Sequence, residues 1–75
     1  MITGTGMIEV GMDVVGSDGY EVGRVKLVRE HDFQIDMKHH RDMYAPLIAV
    51  ERVLPGQVVL NIPAAQAYRE PWPTK

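Results

Sequence analysis

Val14-Val15-Gly16-Ser17-Asp18-Gly19-Tyr20-Glu21-Val22-Gly23-Arg24-Val25 decides the fold of this chain. Two valine-bearing segments flank a Gly-Ser-Asp-Gly tetrapeptide, which predicts strand, tight turn, strand. Asp18 can bond its own backbone, and Gly19 accepts positive φ at no steric cost. Gly16 opens the turn. The apolar parity then changes within the second strand. Val22 lies on one set, Val25 and Leu27 on the other, and Gly23 sits at the switch. A lone glycine in a strand marks a bulge or sharp bend, and small barrels need such bends to close. The expectation is a kink at Gly23, with Val25 and Leu27 facing the core.

Similar patterning extends outward in both directions. Upstream, Ile8, Val10, Met12 and Val14 alternate with polar or small residues, a half-buried strand signal. Residues 1–6 read as a flexible arm. Downstream, Phe33, Ile35 and Met37 alternate with Gln34, Asp36 and Lys38. Residues 38–42 form a charged, histidine-bearing loop. Met43 to Pro46 resumes an extended form, because Pro46 biases Ala45 away from helix. Leu47, Val50 and Val53 are spaced by three, which predicts a 3-10 or helical turn. Pro55-Gly56 is a turn, and Val58, Leu60 and Ile62 mark the last strand. Residues 63–68 make a short helix, with Pro63 tolerated in its first turn. The expected domain runs from 7 to 72, with 73–75 as a C-terminal tail.

These elements predict a mainly all-β fold: a small antiparallel β-barrel of five to six strands, one 3-10 turn and a short C-terminal helix. The predicted core is Val14, Val22, Val25, Leu27, Phe33, Ile35, Leu47, Val50, Val53, Val58 and Leu60. A 75-residue chain buries only about 60% of its unfolded surface. Domains of this size without staples often gain stability by oligomerising.

Several function classes lose support on composition alone. There are no cysteines, so neither a disulfide framework nor a thiolate zinc site can form. Eight basic residues against ten acidic give a net charge of −2, and a basic footprint for nucleic acid is absent. No apolar run approaches the ~20 residues that span a bilayer, and the N-terminus lacks signal-peptide character. The expected compartment is the cytoplasm.

The order and spacing of four segments resemble the PRC-barrel-like domains, specifically small stand-alone bacterial ones of unassigned function. The segments are Gly11-Met12-Asp13-Val14-Val15-Gly16-Ser17-Asp18-Gly19, Val22-Gly23-Arg24-Val25, Arg41-Asp42-Met43-Tyr44-Ala45-Pro46, and Val58-Val59-Leu60 with Trp72 beyond it. The resemblance implies a PRC-type barrel. Related barrels occur in the photosynthetic reaction-centre H subunit and in a ribosome-maturation factor, where they mainly make protein–protein contacts. The shared residues are structural in kind, and the resemblance brings no catalytic set.

Candidate sites are few. His39 and His40, with Asp42 nearby, carry donors suited to zinc or nickel. Adjacent strand residues point to opposite faces, so both histidines reach one metal only if the loop bends; the competing reading is a solvated loop. The histidines also titrate near neutrality. Asp18 and Glu21 are a carboxylate pair, but Asp18 already has a turn role. Ser17 is the only serine, and it lies in that turn. Arg24, Lys26, Arg29, Lys38 and Arg41, with Tyr20 and Tyr44, form at most a modest basic face. Met7, Met12, Met43 and Tyr44 offer adaptable contact surface. Trp72, between Pro71 and Pro73, is either a plug over the barrel end or an interface anchor.

The leading expectation is a non-enzymatic module for protein–protein interaction or self-association, most simply a homodimer with an additional protein partner. No cofactor, membrane or nucleic-acid partner is expected. One alternative is a metal- or ligand-binding domain centred on His39 and His40. Another is an RNA- or ribosome-associated accessory domain, which rests on fold analogy.

Overall fold

The computed structural model describes residues 8–37 and 40–74. The expected arm at 1–6, Met7, Lys38, His39 and Lys75 lie outside the described residues. Six strands follow one another: β1 (Asp13–Val15), β2 (Glu21–Val28), β3 (Asp32–Met37), β4 (Met43–Pro46), β5 (Val50–Leu54) and β6 (Gln57–Leu60). A 3-10 turn, Leu47–Ala49, joins β4 to β5, and a short helix α1, Ala64–Ala67, follows β6. The strands make one curled sheet, a half-barrel, in the order β4-β3-β2-β1-β6-β5. Every pairing is antiparallel except that of β1 with β6. The sheet order therefore ends at β4 and β5, which are joined in sequence by the 3-10 turn.

The turn reading of residues 16–19 holds. Gly19 N–H donates to Gly16 O at 2.9 Å, and Gly19 has φ of 86°, where a side chain is strained. The first strand is shorter than the alternation from Ile8 predicts. Met12 N–H donates to Glu9 O at 3.2 Å, which folds residues 9–12 into a turn and leaves Val10 65% exposed.

Irregular pairing in β2 shapes the sheet. Val14 pairs with Gly23 but Val15 with Glu21, so Val22 is an extra residue beside the expected kink. Gly23 is needed there for another reason. A methyl group on it would press on the Asp36 carbonyl and sit 2.8 Å from Ile35 Cγ2. A second shift was not foreseen: Val25 pairs with Ile35 and Leu27 with Gln34, leaving Lys26 over. One extra residue reverses side-chain parity. This corrects the core assignment of Leu27, which is 43% exposed.

The remaining core residues behave unevenly. Val14, Val22, Val25, Phe33, Ile35, Val58 and Leu60 are buried as expected. Leu47, Val50 and Val53 are only partly buried, packed against the core from outside. The spacing of three at these positions spans both the 3-10 turn and β5, a strand the pattern did not reveal. Alanines complete the core: Ala45, Ala49, Ala64 and Ala67 are buried where backbone elements approach closely.

Candidate functional site

Asp18 holds the β1–β2 turn against α1. Its Oδ1 accepts from Tyr20 N–H at 3.2 Å and from Ala64 N–H at 3.3 Å. Pro63, at the helix N-cap, has no capping side chain, so Asp18 supplies from a distant turn what a local Ser or Asp normally provides. Ser17 N–H adds a bond to Ile62 O at 2.8 Å. Gly16 lies in the same contact; a methyl group there would press on Ala64 N and come 2.8 Å from the Pro63 carbonyl carbon. Glu21 is exposed, and its backbone carbonyl accepts from the Tyr68 hydroxyl at 3.1 Å. These contacts give Asp18 a structural task.

The expected metal donors are spread over different contacts. Asp42 Oδ2 accepts from Lys26 Nζ and from buried Gln34 Nε2, each at 3.1 Å. The Lys26 ammonium is held above its ordinary range, first by that hydrogen bond and then by the Asp42 charge. His40 stacks on Tyr68 with ring centroids 4.5 Å apart and planes 13° from parallel. Among the described residues, no group of three or more His, Asp or Glu converges as a metal centre.

Three cations of the expected basic face, Arg24, Lys26 and Arg29, are matched by carboxylates. Arg24 Nε lies 3.2 Å from Asp13 Oδ1, and Lys26 is paired with Asp42. Arg29 binds both Asp32 oxygens at 2.7 Å and rests 4.0 Å over the Tyr44 ring. The Arg29 hydrogen bonds hold the Asp32 carboxyl below the usual carboxylate range. Charge pairing of this kind offsets the positive field of these three side chains.

The residues expected at an interface separate. Met43 is 6% exposed, which corrects its assignment to contact surface: β4 aims it inward, opposite Ile35. Met12 and Trp72 are partly buried against the core, and Tyr44 carries Arg29. Trp72 packs against the core of its own chain, the contact a plug would make. Two residues of the expected tail lie beside β4: Tyr44 N–H donates to Pro73 O at 2.8 Å, and Met43 makes an isolated antiparallel bridge with Thr74.

A cleft of about 500 Å³ is the feature that sequence reasoning missed. Val22 and Gly23 form part of its lining, with Glu21, Arg24, Asp36, His40 and Tyr68. Glu21, Val22, Gly23, Arg24 and His40 each carry a separate reading in the sequence, but nothing there places them around one cleft. Tyr68 reads there as the end of a helix, and nothing local links it to residue 21 or 40.

Val10, Tyr20, Leu27 and Val28 are exposed apolar side chains, and two more lie about β5. Ile48 is 86% exposed on the 3-10 turn, and Leu54 is 39% exposed at the end of β5. No helix among the described residues is long and apolar enough to cross a membrane. A family model described as "Uncharacterized protein conserved in bacteria (DUF2171)" matches residues 8–68. No curated protein matches the chain.

Proposed function

The chain belongs to this bacterial family, and from that premise we propose a non-enzymatic interaction module that self-associates, as a homodimer, in the cytoplasm. The curled half-barrel and its glycine-marked motifs support assignment to the PRC type. One observation carries the functional reading. β5 ends the sheet order, and Ile48, at its entrance, is almost fully in solvent. A free strand edge with an adjoining apolar residue is a template for pairing. Meanwhile Asp18 and Asp42, the carboxylates of the candidate sites, are bound to structural partners.

Light scattering on the full chain across a concentration series tests this. The reading expects a dimer mass at high concentration that shifts towards monomer in Ile48→Ser. A monomer throughout overturns self-association. Ribosomal proteins recovered from native lysate and lost with nuclease support the accessory-domain alternative instead.

The cleft beside His40 favours a second reading, a small-ligand or metal domain. It expects a stoichiometric transition metal after tag-free purification, lost in His40→Ala. Metal-free protein that fails to take up zinc or nickel removes that metal reading.

A further inference from the structure

The two ends of the sheet are finished differently. β3 pairs with one side of β4. The other side of β4 receives the chain's own Pro71–Thr74 segment through the Tyr44–Pro73 hydrogen bond and the Met43–Thr74 bridge. In that antiparallel register Trp72 falls opposite Ala45, because each step along one strand is a step back along the other. Ala45 is fully buried and small, and Trp72 is packed against the core. Pro73 and Thr74 take a strand-addition position beside β4, with Trp72 next to them packed against the core. Pro71 and Pro73 have no N–H to give the sheet, so few bonds hold it.

We infer that this β4 seam is an exchangeable docking site, and that in the self-associated form its occupant is the Pro71–Thr74 segment of a second copy. This rests on the self-association reading above. The second copy's segment makes the same contacts as the chain's own, so the seam accepts it without redesign. Exchange alone adds no contact, and a tethered segment competes at an effective concentration of about millimolar. The extra contact that favours exchange must come from surface exposed in a single copy. Ile48 meets that need: it lies two residues beyond the end of β4 and is 86% exposed.

Cysteine trapping tests the exchange, because the natural sequence has no cysteine. Opposed residues of an antiparallel pair have Cα atoms about 4.5–5.5 Å apart, within disulfide reach. Full-length Met43→Cys and Thr74→Cys proteins are mixed at the concentration that gives dimer, then oxidised. Exchange expects the heterodimer, crosslinked between position 43 of one copy and position 74 of the other, at least tenfold above the disulfide dimer of either variant alone. A dimer mass without that crosslink overturns exchange and leaves self-association standing through another surface. A monomer at every concentration overturns both.

A second measurement guards against a folding defect in Met43→Cys. The synthetic peptide of residues 70–75 is titrated into isotope-labelled full-length Trp72→Leu, with amide shifts recorded. Exchange expects saturable shifts confined to residues 43–45, at least tenfold tighter than for the wild-type protein, whose seam is filled. Equal responses in the two proteins, or none, overturn the inference.

Discussion

The corner where the β1–β2 turn meets α1 and β3 differs sharply from the β5 edge. In the corner a single methyl group on Gly16 or Gly23 would press on neighbouring backbone. At the β5 edge Ile48 is 86% exposed. The corner shows what the glycine-rich sequence is for: it lets three backbones approach and lets Asp18 reach a helix end 46 residues away. The edge carries the exposed apolar side chain that the proposed self-association would cover. The most eye-catching motif thus specifies packing, and the apolar residue on which the proposed self-association rests lies in the Leu47–Ala49 turn.

The largest effect that sharpens this contrast is at Gly23. The carbon added in Gly23→Ala meets backbone that cannot swing away, and the expected cost is about 3 kcal/mol. In a domain of this size that lowers the melting temperature by about 15 °C. A loss of only a degree or two would mean that β2 and β3 can part at little cost, and the corner would lose its special standing. Trp72→Ala follows at about 2 kcal/mol, less than for a fully buried indole, since Trp72 is only partly buried. Wild-type Trp72 fluorescence should be blue-shifted from that of tryptophan in water. An emission matching the free amino acid would remove the plug.

Much of the corner was legible in the sequence and little of the edge. Alternation gave β3 and β6, turn chemistry gave Gly16 to Gly19, and the parity change gave the irregularity beside Gly23. Leu27 was misplaced because the second shift has no glycine to mark it; the extra residue is Lys26, an ordinary strand-surface side chain. β5 was missed because Val50 and Val53 straddle another irregularity, with Glu51 as the extra residue, and the alternation breaks. The docking of Pro73 and Thr74 on β4, and that of Tyr68 on Glu21 and His40, are long-range contacts with no local signature. His39 cannot be compared, since it lies outside the described residues.

Two smaller substitutions test the corner's outer contacts. Asp18→Ala is expected to cost about 1 kcal/mol, as for loss of a helix N-cap, while Asp18→Asn retains an acceptor and should lose less. Equal losses would show that charge, not the hydrogen bond to Ala64, holds the turn. Leu27→Ala should cost less than about 1 kcal/mol, the usual range for exposed positions. A loss of about 2 kcal/mol or more by denaturant unfolding, the range of a core truncation, would mean that Leu27 faces a core after all.

The smallest effect on stability is expected at Ile48, and it separates folding from association. The side chain is 86% exposed, so Ile48→Ser removes almost no buried area and should leave unfolding free energy within about 0.5 kcal/mol of wild type. The backbone of residue 48 keeps its role, since its carbonyl accepts from Asn61 Nδ2 at 3.0 Å and any residue supplies that oxygen. If the apolar side chain contributes only when a second copy covers it, this substitution weakens the dimer while the melting temperature of dilute monomer stays put. Should the dilute monomer itself lose several degrees, Ile48 belongs to the fold rather than to an interface. The β5 edge would then cease to be the counterpart of the crowded corner.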